Sequence, residues 1–386
     1  MKKQNRGSSF FPPLWRKVSR SDERGERFAQ SPLPVLRTTF PHKGGRKIAA
    51  IAALVFLFVT PALAQTTADV GRFAGPDRTA RLIAGAKKEG TLTLYSSAPL
   101  EVMGAVGAAF TRKYGVKVDL WRSASEQILQ RVLTEARGGR FAADVMETAG
   151  PDIEAANREK LLQAVTLPVT AELMPEAVAP GRPWIVSRLS VFTIAYNTNL
   201  VRAADAPQTY EDLADPKWKG RLAIEADDNN WLMVMAGALG EQKTTALFRA
   251  IVAKNGISVR KGHSLMANLV VSGEVPVAIT AYVDEVSQLK KAGAPIDTVF
   301  AAPTIAMPTA VAAFARAAHP HAAVLFMDFL LSEEGQKILA AHNVVPSNLK
   351  VQRLPVKLTL MDVPKYLDEN ARWVRLYRDI FIARGR

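Results

Sequence analysis

The sequence predicts an α/β protein of two lobes, each built on a mostly parallel sheet with helices on its faces. Three observations predict it. From Leu92 onward, short apolar and β-branched runs alternate with stretches of helical period. The alternation is interrupted by a polar, proline-containing stretch from Pro168 to Pro183 and then resumes, which separates two such units. The polar side chains of chemical interest also fall where strands end and helices begin, the edge at which open parallel sheets bind ligands.

Taken in order, "TLTLYSS" from Thr91 is a strand whose end carries Ser96 and Ser97. Pro99 fits the first turn of the following helix, where a missing N–H costs nothing. That helix runs over 101–114, with Val102, Val106, Phe110 and Tyr114 on one stripe. The turn before it suits an anionic or polar ligand, although Ser97 serves equally as a helix cap. "VKVDLW" is the next strand, with Arg122 and Ser123 just beyond it; the helix over 126–137 follows. An Arg at a strand end offers a fork of donors to a carboxylate or phosphate, and Ser123 with Glu126 has capping-box spacing. "ADVMET" closes this first βαβαβ run at Thr148.

"LSVFTIAYNT" is a strand leaving the first lobe. The second alternation reads "GRLAIEA", helices over 229–238 and 241–254, "GISVRKG", a helix over 265–272 and the strand "VPVAITAY". Asp227 and Asp228 follow the first of these strands; they suit a cation or an ammonium group, and equally a helix cap. His263 lies beyond "SVRKG", where a turn-and-cap role stands beside a ligand role. His319 and His321 flank Pro320 at a helix boundary and read as structural. The tail "ARWVRLYRDIF" reads as an amphipathic helix packed on a lobe.

Composition excludes several classes. The formal net charge is +14, but residues 1–64 hold 12 of the 50 Lys and Arg against 3 of the 36 acids, so the rest carries an ordinary excess of +5. Without a basic run interleaved with stacking aromatics after residue 64, no nucleic-acid footprint is expected. Phosphate-loop, nucleophile-elbow and H-E-x-x-H patterns are missing, and no cysteine offers a thiol nucleophile or thiolate metal site, so an enzyme is not expected. A rival reading takes Asp227, Asp228 and His263 as the acid/base or metal set of an exported enzyme. Arg46 and Lys47, the apolar run Ile48 to Val59 and "TPALAQ" form an export signal with cleavage expected near Ala64. The run is shorter than the ~20 residues of a membrane span, and a mature chain without cysteine has no thiol to lipidate, so a soluble periplasmic protein is expected.

Five stretches in this order carry a resemblance: "YNT" at 196–198, "APQTYEDLADPKWKGRLAI" at 206–224, "SGEVPVAITAY" at 272–282, "KKAGAPID" at 290–297 and "HPHAAVLFMDFLLSEEGQKILA" at 319–340. Together they resemble the solute-binding proteins of ABC importers, in the branch of ferric-ion, thiamine and phosphonate binders. The match runs over roughly 92–346, and most of its motifs are scaffold. The resemblance implies a type II periplasmic-binding fold with a hinge and a central ligand cleft. Its domains would be a leader over 1–64, one lobe from 65–190 with 312–360, and the other from 191–311 with 361–386. It further implies a monomer that binds a small solute, without a cofactor, and meets a membrane permease transiently.

Within that family "YSS" resembles the first-lobe cleft loop, which makes Tyr95, Ser96 and Ser97 ligand contacts together with Arg122, Ser123 and Thr148. Asp227, Asp228, Trp231, His263 and Tyr282 would face them from the second lobe. Ferric binders of the family supply adjacent tyrosines, and often a His and an acid from the first lobe. Here Tyr282 is followed by Val283, Ala98 or Pro99 stands at the His position, and Ala149 at the acid position. The expectation is therefore an anionic or zwitterionic organic solute held at Ser97 and Arg122, with no metal. The alternative is ferric iron on Tyr282, Asp227 and Asp228.

Overall fold

The computed structural model describes residues 65–382; the leader, its expected cleavage near Ala64 and the last four residues lie outside the described residues. Strands Thr91–Ser96, Lys117–Arg122 and Val145–Ala149 pair in parallel with Thr91–Ser96 in the middle, as the first βαβαβ run requires. The helices between them are Leu100–Tyr114, which buries Val102, Val106 and Phe110, and Ser125–Arg137, which buries Ile128 and Val132. Strands Leu222–Glu225, Ser258–Arg260 and Val277–Tyr282 form the second parallel set, with Leu222–Glu225 in the middle. Leu222–Glu225 and Val277–Tyr282 are buried along nearly their whole length and accordingly read as apolar runs rather than alternations, whereas Thr91–Ser96 alternates at its start.

Two long strands join the sets. Ile185–Asn197 pairs antiparallel with Thr304–Phe314 over its first half, and with Val277–Tyr282 and Ile296–Val299 over its second. Thr304–Phe314 carries on to pair with Val145–Ala149. A β-branched and aromatic stretch such as "IVSRLSVFTIAYN" tolerates burial on both sides along this length. The main chain is thus continuous between the sheets at two neighbouring crossings, which brings the carboxyl ends of both parallel sets toward the same region.

The C-terminal helix Val363–Tyr377 packs on helices belonging to both sets, Gly150–Arg158 and Asn229–Leu239. Arg158 donates to Asp368 at 2.6 Å, Tyr366 donates to Asn229 Oδ1 at 3.0 Å, and the Tyr377 hydroxyl donates to the main-chain oxygen of Glu225. His319 and His321 have structural partners, with Nδ1 at 2.8 Å from Asp144 and 2.7 Å from Glu89 respectively.

Asp152, in the first turn of Gly150–Arg158, is held against the fold's interest. Burial first, and the charge of Glu126 second, push its carboxyl up from 3.8 to about 6. A raised folded value means that the group favours folding below the unfolded value and that this contribution disappears as pH rises through about 6. Asp152→Asn should therefore gain on the order of 2–3 kcal/mol at pH 7 and almost nothing near pH 4. Urea midpoints at the two pH values check this; an equal gain at both would show that the carboxyl is unperturbed.

Candidate functional site

The second parallel set ends in a cluster of acids around one imidazole and one phenol. Glu225 closes its strand and is 5% exposed. Its Oε1 accepts from the Gly262 N–H at 2.8 Å and its Oε2 from the Asp227 N–H, so both oxygens are oriented by main chain. Asp228 stands at the N-terminal boundary of helix Asn229–Leu239 without capping it; it is 4% exposed, and its Oδ2 has no partner among the described residues. Its Oδ1 lies 3.2 Å from Nε2 of His263. His263 opens helix His263–Ser272 directly after Gly262, whose φ of 104° is open to glycine and costly for other residues. One ligand atom from each of Glu225, Asp228 and His263 lies within 4.8 Å of the others.

Tyr282 ends strand Val277–Tyr282 and lays its ring on the imidazole, with centroids 3.8 Å apart; Phe192 of the crossing strand packs on it at 4.9 Å. Asp284 and Glu285 follow in the first turn of helix Val283–Lys291, each with one buried oxygen lacking a partner among the described residues. Burial, then the charges of Asp228, Asp284, Glu225 and Glu285, drive the Tyr282 phenol well above its ordinary value. Burial pulls the His263 value down, but the Asp228 hydrogen bond and the charges of Asp228, Glu225 and Glu285 outweigh it and raise the value. Burial also raises Asp284 and Glu285. Four carboxylates without a full complement of cations make this face a seat for positive charge.

The first-lobe strand ends behave differently. Glu147 is fully buried and accepts from Ser96 Oγ at 2.6 Å, Arg188 Nε at 2.7 Å and Ser187 Oγ at 3.4 Å. Ser96 is thus spent on the scaffold. Tyr95 turns away too: its hydroxyl donates to Glu135 at 2.9 Å, its ring packs on Trp121, and burial with the Glu135 contact pushes its phenol up to about 12. Ser97 uses its N–H on the Glu147 carbonyl and leaves its hydroxyl without a partner among the described residues. It does not cap, because the helix boundary falls at Pro99 rather than inside the first turn. Arg122 is exposed and, among the described residues, hydrogen-bonds only to the Ala98 carbonyl, at 3.3 Å. Ser123 is no cap either: its hydroxyl donates to Gln127, and Ala124 holds the boundary position. Thr148 is fully buried, and its hydroxyl has no partner among the described residues.

Two second-lobe expectations change. Asp227 is exposed and paired with Lys261 at 3.2 Å, which turns it out to solvent and away from Asp228. Trp231 is fully buried between Tyr210 and Phe248, a core residue of the helix instead of a cleft wall. In their place the structure adds Glu225, Asp284, Glu285 and, at the crossing, Glu147 with Arg188. The signal for Glu225 was present as an acid ending the otherwise apolar strand "LAIE", a position where an unneeded carboxylate would be costly.

The class of protein follows from the family match, which the two joined α/β sheets with polar side chains gathered at strand ends accompany. Residues 105–361 match the family described as bacterial extracellular solute-binding protein, and the chain belongs to it. It is 28% identical over 269 residues to "Iron uptake protein A1" of Synechocystis sp., covering 65% of this chain and 74% of that one. It is 28% identical over 172 residues to "Fe(3+)-binding periplasmic protein" of Serratia marcescens, covering 43% and 49%. The fold is similar to that of iron-bound HitA from Pseudomonas aeruginosa, with TM-score 0.63, 24% identity and coverage of 75% and 99%. It is also similar to AfuA from Actinobacillus pleuropneumoniae with fructose-6-phosphate bound, with TM-score 0.61, 24% identity and coverage of 76% and 99%. No described helix is long and apolar enough to cross a membrane.

Proposed function

We propose that this protein is the periplasmic receptor of an ABC importer and that its solute is ferric iron bound through Tyr282. The observation that carries the reading is the place of Tyr282 at a strand end, stacked on the His263 ring that meets buried Asp228 and followed directly by Asp284 and Glu285. Fe(III) is a hard ion that favours anionic oxygens, and its arrival supplies the positive charge that lets the phenol ionise. An organic anion entering the same cleft would meet repulsion from four carboxylates, so the organic-solute expectation gives way to the iron alternative. The iron names of the curated relatives point the same way. Asp227, turned to Lys261, leaves the ligand set, and Glu225 replaces it. Ser97 and Arg122 would hold an accompanying anion from the first lobe. In this reading 65–190 with 312–360 and 191–311 with 361–386 are the lobes that close on the ion before a permease reads the closed form.

Titrating chelator-stripped protein with ferric nitrilotriacetate should raise a visible phenolate-to-iron band. Tyr282→Phe should remove the band and weaken binding by about 100-fold or more, equivalent to about 2.7 kcal/mol. A protein that gives no band but is stabilised by small carboxylates or phosphonates, with the effect lost in Arg122→Ala, would return the organic solute.

A further inference from the structure

We propose that Glu225, Asp228 and His263 form a site for a divalent first-row cation such as Mn(II), Fe(II) or Zn(II), complete within the second lobe. The proposal rests on the cation reading of this face and narrows it to a ligand set without the phenol. Two ligands each about 2.1 Å from a tetrahedral ion stand about 3.4 Å apart. The separation of His263 Nε2 from Asp228 Oδ1 is 3.2 Å, which suits such a bite as well as it suits a hydrogen bond. Glu225 completes a triad whose ligand atoms lie within 4.8 Å.

The second observation is the spare capacity of Asp228. At 4% exposure its Oδ2 has no donor among the described residues, an arrangement that costs free energy unless something positive enters. Lys261, the nearby ammonium, is committed to exposed Asp227 and does not serve it. The ligands are also preoriented: two main-chain N–H groups fix Glu225, Tyr282 fixes the plane of the imidazole, and Tyr377 anchors the Glu225 main chain. One imidazole with two carboxylates matches divalent manganese, iron and zinc, whereas Fe(III) prefers the phenolate and carboxylate oxygens. All three ligands stand on one lobe, so a divalent ion binds without closure. Because Glu225 and Asp228 serve both ligand sets, the divalent and ferric ions exclude each other.

The test uses Co(II) as a visible probe on the chelator-stripped exported protein, alongside the ferric titration. One Co(II) per chain should bind, displaced by Zn(II). His263→Gln and Glu225→Gln, shown by circular dichroism to be folded, should each weaken Co(II) by more than about 100-fold. The exposed variant Asp227→Asn should bind Co(II) and keep the iron band as the parent does. Absent Co(II) binding, or binding unmoved in folded His263→Gln, overturns this proposal while an intact ferric band leaves the iron reading standing. Failure of both ions to bind overturns the two together.

Discussion

Arg188→Ala should destabilise the folded protein by about 3–5 kcal/mol, the cost of stranding a buried charge whose partner is gone. Glu147 has a side chain 1% exposed, and Arg188, at 13%, is its cationic partner, at 2.7 Å. The remaining donors are two serine hydroxyls, which satisfy geometry but supply no charge. The pair lies where the first sheet meets the crossing strand: Glu147 binds Ser96 through its side chain and Ser97 through its carbonyl, while Ser187 also donates to the Thr309 carbonyl. Loss of Arg188 therefore loosens three strands at the root of the crossing. It also removes one of the charges, His263 being the other, that with main-chain hydrogen bonds partly offset the burial of Asp284. Urea unfolding measures the loss; adding Glu147→Gln to Arg188→Ala should recover part of it, since a neutral amide is cheaper to bury alone. A loss below about 1 kcal/mol would place the pair in the range of solvated surface bridges.

Sequence pattern carried the architecture well because the signals are local. Helix boundaries expected at 101, 126 and 229 fall within a residue or so of Leu100, Ser125 and Asn229, where apolar period and turn residues coincide. Side-chain direction was less legible, since it is decided by contacts distant in sequence. Nothing local to "YSSAP" shows that Glu135 claims Tyr95 or that Glu147 claims Ser96. Nothing in "ADDNN" shows which of two adjacent aspartates turns inward; a lysine 34 positions on settles it by drawing Asp227 to the surface. His263 and Tyr282 follow strands that are not neighbours, and their stacking depends on helix His263–Ser272 packing back onto Val277–Tyr282. Glu225 is hard to single out in sequence because a strand-ending acid close to two more acids reads as part of a polar turn.

Trp231→Ala should cost about 3–5 kcal/mol of stability, the range for deleting a large aromatic side chain from a core that cannot collapse around the space. Its ring meets Phe248 at 5.1 Å and Tyr210 at 5.7 Å, both nearly edge-on, and Phe248 in turn packs on Phe381 of the C-terminal segment. The damage should spread to helix Glu241–Asn255, which carries Phe248, and to the C-terminal turn. Trp231→Phe should be much milder: it keeps an aromatic core and deletes an indole N–H that has no partner among the described residues. Since the ring is fully buried against Tyr210 and Phe248, ferric affinity in Trp231→Phe should stay within about threefold of the parent, under 1 kcal/mol. Paired unfolding and ferric titrations separate the roles. A Trp231→Phe protein that keeps its stability but loses the ion would return Trp231 to the wall of the cleft, where its place in "DDNNW" first suggested it.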